Sequence, residues 1–146
     1  LSKGLGAPVG SVMLSTKERV TKARVWRKRY GAGMRQVGLL AAAGHYALDH
    51  NIAPLAEDHR RAKEIAVALN AVVPSIIDPA TVQTNIVGLD LAELNITAAE
   101  LATRCKAEGL LIGALGPKYA RLVTHLDIDD AGTAYAIEVL KRALVA

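Results

Sequence analysis

Apolar and polar positions recur along this chain with two different periods, and each period predicts a different element. Val9 to Leu14 is a short strand-like run that stops at Ser15-Thr16. From there the spacing turns helical. Val20, Ala23, Trp26 and Tyr30 recur as one stripe, which predicts a helix to about Tyr30 with that stripe packed. Ser15 or Thr16 can cap its start, and Gly31-Ala32-Gly33 ends it. The next helix is expected over Met34 to His50. Its centre, Val37-Gly38-Leu39-Leu40-Ala41-Ala42-Ala43-Gly44, is apolar on nearly every side. A helix of that kind is normally buried in a larger body. The chain is short for enclosing it, so a further segment or a partner subunit is expected around it.

Asn51-Ile52-Ala53-Pro54 reads as a junction. Beyond it, Leu55, Ala62, Ile65, Ala66 and Leu69 mark the apolar side of a helix over 55–71. Pro74 and Pro79 punctuate a loop, and 82–87 alternates like a half-buried strand. Thr97-Ala98-Ala99-Glu100 is a capping-box start for a helix that Gly109 stops. Residues 110–115 and 121–126 are expected as two strands of a hairpin about Gly116-Pro117-Lys118. Asp129 or Asp130 caps a last helix. The expectation is therefore two domains: 1–53, a strand and two helices belonging to something larger, and 54–146, a small α+β unit.

Composition adds constraints. Of 146 residues, 51% are hydrophobic, yet only one is Trp, four are Tyr and none is Phe. Ala, Val and Leu must do the packing. No apolar run approaches the roughly 18 residues of a membrane helix, and no basic-then-apolar leader is read at the start. The chain opens without Met, directly in a motif-like turn, so it is expected to begin in mid-protein. The lone Cys105 excludes an internal disulfide and suits a reducing, cytoplasmic setting.

The net charge of +4 is unevenly spread. Lys17, Arg19, Lys22, Arg24, Arg27, Lys28, Arg29 and Arg35 face only Glu18 within 17–35, leaving the remainder acidic on balance. Such a patch suits an anion or a solvated helix face. Nucleic acid is disfavoured, because only Trp26 and Tyr30 could stack on bases.

The candidate chemistry begins at Lys3, set between Ser2 and the turn Gly4-Leu5-Gly6. A lone lysine in a small-residue turn can contact a phosphate or form an imine with a carbonyl. The phosphate-loop pattern needs glycines before the lysine. Here Gly4 follows it, so the imine chemistry fits better. His45, His50, His59 and His125 have no metal-ligand spacing, and no metal is expected. Asp127, Asp129 and Asp130 suit helix capping better than a calcium loop.

Several stretches together resemble one family. They are Ser-Lys-Gly-Leu-Gly-Ala-Pro-Val-Gly-Ser (2–11), Trp-Arg-Lys (26–28), Gly-Ala-Gly-Met-Arg-Gln (31–36), Ala-Ala-Ala-Gly-His-Tyr-Ala-Leu (41–48), Leu-Ala-Glu-Asp-His (55–59), Gln-Thr-Asn-Ile-Val (83–87) and Arg-Leu-Val-Thr-His-Leu-Asp (121–127). The chain resembles the C-terminal part of the low-specificity L-threonine aldolases, which are fold-type-I pyridoxal-phosphate enzymes. The resemblance implies an α/β fold: the end of the cofactor-binding large domain over 1–53, then a small α+β C-terminal domain over 54–146. It implies that Lys3 forms the Schiff base with pyridoxal 5'-phosphate and is the catalytic lysine. Lys28 and Arg35 match basic residues near the cofactor phosphate and the neighbouring subunit's site. Arg121 matches the arginine that holds the substrate carboxylate. The implied reaction cleaves L-threonine, L-allo-threonine and related β-hydroxy amino acids to glycine and an aldehyde. The implied state is a cytoplasmic homo-oligomer, tetramer or dimer, with shared active sites and no nucleic acid or membrane partner.

Ala32 stands where many relatives carry a third glycine. The larger departure is that the family's N-terminal portion, with most of the cofactor pocket, has no counterpart in these residues, so the piece alone is expected to be inactive. Two other readings stand beside the aldolase: a non-catalytic α+β anion-binding module, and another pyridoxal-phosphate β-eliminating lyase. The Arg121 motif favours the aldolase over the latter.

Overall fold

Thr16 starts the first helix, its hydroxyl accepting from the Arg19 amide. In the computed structural model, which describes residues 1–145, this helix (α1) spans Lys17–Arg29, and a second (α2) spans Gly38–His50. Both belong to a unit of Leu1–Ala53; a second unit begins at Pro54.

In the first unit, two expectations from the apolar pattern are corrected. Residues 9–15 form no strand. A run such as Val9–Leu14 becomes a strand only when neighbouring strands complete its hydrogen bonds, and none of the described residues does so. The stripe on α1 is not packed either, because α1 has no buried residue. Trp26 and Tyr30 instead stack on each other in the open, 5.8 Å between centroids, with the Arg29 guanidinium 4.9 Å from the Trp26 ring. The second helix starts later than expected, since 34–37 is irregular and Gln36 has φ +48°. It buries only Gly44 and Ala47, and Leu39 is 83% exposed.

The second unit builds a core of its own. Pro54 opens α3 (Leu55–Asn70), and 3₁₀ turns follow at Pro74–Ile76 and Pro79–Thr81. Then come β1 (Ile86–Asp90), α4 (Ala98–Ala107), β2 (Gly113–Gly116), β3 (Tyr119–Val123) and α5 (Asp130–Val145). The capping box forms: Thr97 accepts from the Glu100 amide and Glu100 accepts from the Thr97 amide. The Thr97 amide, and with it the Thr97 hydroxyl, donates to the Glu100 carboxyl and holds it below its ordinary range. Gly109, at φ +79°, supplies the left-handed step after α4. Asp129 accepts from the Gly132 amide and so caps α5.

The sheet is antiparallel in the order β1-β3-β2. Val87, Leu89, Ala120 and Leu122 point inward. They meet Ile65, Leu69, Leu101 and Leu140 from the three helices in one apolar cluster. Alternation then sends Ile86, Tyr119, Arg121 and Val123 to the opposite, open face. The strands lie a few residues from their expected places. The sheet begins at Ile86 because Val82 is still turning, its amide bonded to the Pro79 carbonyl. The stretch before β2 is held off the ladder by the end of α4, with the Leu110 amide donating to the Cys105 carbonyl.

Candidate functional site

The turn that carries Lys3 is pinned by backbone bonds. The Gly6 amide donates to the Lys3 carbonyl at 2.9 Å and the Ala7 amide to the Leu1 carbonyl at 3.1 Å. The side-chain amide of Asn51 donates to the Leu5 carbonyl at 2.8 Å, tying the turn to the end of α2. Gly6 has φ +69°, a left-handed step that a side chain would strain. The backbone is fixed while the Lys3 side chain stays exposed. An amine so placed can be approached without crowding and, once deprotonated, can attack a carbonyl carbon.

Lys28 lies in the last turn of α1, where its charge suits the negative end of the helix dipole. Its chain folds over Gly33: a Cβ there would fall 2.5 Å from Cδ and 2.9 Å from Nζ. The glycine therefore lets the lysine lie flat. Arg35 follows on the irregular 34–37 stretch and is exposed. In this unit the one ion pair among the described residues is Lys22–Glu18, so Lys3, Lys28 and Arg35 are left without carboxylate partners. No hydrogen bond joins these three to one another. Val12, Met34, Val37, Leu40 and Leu48 line an apolar groove of about 580 Å³ within the same unit.

Arg121 sits in the other unit, on the open face of the central strand. Its register partners are Gly88 on β1 and Gly113 on β2. With glycine on both sides, no flanking Cβ crowds the guanidinium. Among the described residues no carboxylate pairs with it. Elsewhere arginines in this unit are committed. Arg60 and Arg61 both hold Asp130, whose carboxyl lies below its ordinary range mainly through the Arg61 bond, and Arg142 holds Glu108.

Three of the sequence stretches meet three residues beyond Arg121. Thr124 is 2% exposed, and its hydroxyl donates to the Asp58 carbonyl at 2.6 Å. Its amide donates to the Asn85 carbonyl at 3.0 Å, and the Asn85 side chain returns a bond to the Thr124 carbonyl at 2.8 Å. This knot ties the end of β3 to the start of β1 and to α3. The charge pattern of 55–71 puts Asp58 on the exposed side of the helix with Glu57 and Arg60; the structure corrects this, for Asp58 is 1% exposed and has an Oδ2 without a partner among the described residues. Only its place inside Leu-Ala-Glu-Asp-His pointed to it. His50 stacks on Tyr46 at 4.1 Å, and His125 lies 3.5 Å from Asp127.

Comparison with known proteins agrees on one group. A family model described as Beta-eliminating lyase matches residues 1–92. A probable low-specificity L-threonine aldolase 2 of Arabidopsis thaliana is 39% identical over 143 residues, which is 97% of this chain and 40% of the relative. A low specificity L-threonine aldolase of Escherichia coli strain K12 is 44% identical over 129 residues, 88% of this chain and 37% of the relative. A probable low-specificity L-threonine aldolase of Schizosaccharomyces pombe is 39% identical over 144 residues, 99% of this chain and 34% of the relative. The chain thus spans 40% or less of the length of these three relatives.

Proposed function

Because the chain belongs to the β-eliminating lyase family, we propose that it is the C-terminal part of a pyridoxal-phosphate-dependent aldolase. The full enzyme cleaves L-threonine, L-allo-threonine and related β-hydroxy amino acids to glycine and an aldehyde. In this reading 1–53 closes the cofactor-binding large domain and 54–146 is the small domain.

The exposed Lys3 amine on its pinned glycine turn carries the reading. The residues present suit the cofactor: an approachable amine for its aldehyde, and two cations free of carboxylates, Lys28 and Arg35, for its phosphate. When bound, pyridoxal phosphate supplies an electron sink for the pair left on Cα as the Cα–Cβ bond breaks. The balance needs no other reagent. The β-hydroxyl gives up its proton and becomes the aldehyde carbonyl, and Cα gains a proton to become glycine. Lys3 holds the cofactor through its Nζ. Lys28 and Arg35 neutralise and orient the phosphate. Arg121 grips the substrate carboxylate through two parallel N–H donors, which orients the amino acid.

The same reading makes the working enzyme a cytoplasmic homo-oligomer, dimer or tetramer. The apolar residues left open on α1 and α2 support the oligomer, and the single, buried thiol Cys105 supports the compartment. Among the described residues no helix is long and apolar enough to cross a membrane.

The full-length protein, supplied with pyridoxal phosphate, should release glycine and acetaldehyde from L-threonine in equal amounts. Formation of ammonia and a keto acid instead would make it an eliminating lyase and refute the aldolase.

A further inference from the structure

The open face of the sheet holds a second polar group beside Arg121. Tyr119 is two residues earlier on β3 and points to the same face, 43% exposed. Its ring leans across to β1 and lies over Gly88. A Cβ on Gly88 would fall 3.0 Å from the Tyr119 Cζ and 3.1 Å from Cε2, and would run into the hydroxyl itself. Gly88 is also the residue directly opposite Arg121. The phenol therefore lies over the residue whose strand position faces Arg121, and the absence of a side chain at 88 is what lets it reach there. On the other flank, a Cβ at Gly113 would meet only the Arg121 backbone at 3.5 Å and a Leu115 methyl at 3.9 Å. That side offers a backbone carbonyl oxygen and a methyl, and no side-chain donor.

A phenol and a guanidinium on one open strand face suit an anion with two oxygens. We propose that the Tyr119 hydroxyl donates a second hydrogen bond to the carboxylate held by Arg121, and so helps the enzyme select amino acids with a free carboxylate. This rests on the role given to Arg121 above. Tyr119 adds a contact that tightens binding of the carboxylate and leaves the bond-breaking step untouched.

The test uses the full-length enzyme with its cofactor and compares equilibrium binding of glycine with that of glycinamide, which lacks the carboxylate. Tyr119→Phe should weaken glycine about fivefold, the size of one partly exposed bond to a charged acceptor, and leave glycinamide within about twofold. Gly88→Ala, which displaces the hydroxyl and keeps the tyrosine, should behave the same way. Arg121→Lys should weaken glycine more than either. If Arg121→Lys weakens glycine and Tyr119→Phe does not, the inference about Tyr119 is overturned while the site stands. Equal losses for glycine and glycinamide would make Tyr119 merely structural and also overturn it. If Arg121→Lys leaves glycine unchanged, the carboxylate site falls and the role of Tyr119 falls with it.

Discussion

Residues 1–53 and the residues from Pro54 onward solve opposite problems. The second unit closes a core: Leu69, Leu89, Leu91, Leu101 and Leu140 are fully buried. Each such side chain contributes on the order of 1.5–3 kcal/mol. The first unit holds three of the four candidate site residues, Lys3, Lys28 and Arg35, and buries little beyond Ala7, Gly44 and Ala47. Its large apolar groups stay open, among them Leu14 and Leu39 at 89% and 83% exposure. Chemistry can therefore be written on a segment that does not pack itself, provided that other parts of a fold do the packing.

The largest expected effect separates the two units outright. Residues 54–146 expressed alone should unfold cooperatively on heating, followed by circular dichroism. Residues 1–53 alone should give a shallow, non-cooperative change, because so little apolar area is buried to offset the chain entropy. A sharp transition from 1–53 would break the contrast.

Paired leucine substitutions sharpen it. Leu140→Ala should cost about 2–5 kcal/mol in urea unfolding, the range for a buried leucine. Leu39→Ala in the 146-residue chain should stay within about 0.5 kcal/mol. In the full-length protein the Leu39 substitution should become as costly as the Leu140 one. If it remains silent there, the first unit is not the edge of a larger domain.

Threonine hydroxyls offer a smaller version. Thr124→Val removes the bond to the Asp58 carbonyl in a buried site and should cost about 1–2 kcal/mol, with Thr124→Ser milder. Thr21→Val removes an exposed bond to the Lys17 carbonyl on α1 and should cost a few tenths at most. Similar losses at both would contradict the difference in burial.

One further effect is confined to alkaline pH. Burial pushes the Cys105 thiol from an ordinary value of 9.0 up to about 11. The unfolded chain thus releases this proton first as pH rises. Stability from this group is unchanged below about pH 8.5 and falls between there and about pH 11. Denaturant midpoints of the native chain should drop more over that interval than those of Cys105→Ala, and parallel curves would refute the shift.

These contrasts also explain what the sequence disclosed. Helices in the second unit were legible because their signals are local: the Thr97/Glu100 box, Gly109 after α4 and the Asp129 cap are each written within a few residues. Periodicity names a face without naming what covers it. That is why the α1 stripe of Trp26 and Tyr30 read as packed and lies open, and why 9–15 read as a strand. The edges of β1 were obscured by Gly88 and Asp90, poor strand formers that hold their places through pairing with Arg121 and Tyr119. Lys3 was legible as chemistry because its glycine turn is local too. Asp58 and the reach of Tyr119 over Gly88 were not, since both arise from residues brought together across the fold.

The central claim is that Lys3 is the cofactor lysine of a larger aldolase. Borohydride fixation of the full-length protein loaded with pyridoxal phosphate, followed by peptide mass mapping, tests it directly. The account predicts one pyridoxyl group per subunit, on the peptide carrying Lys3. A group fixed on any other lysine, or none at all, would contradict it.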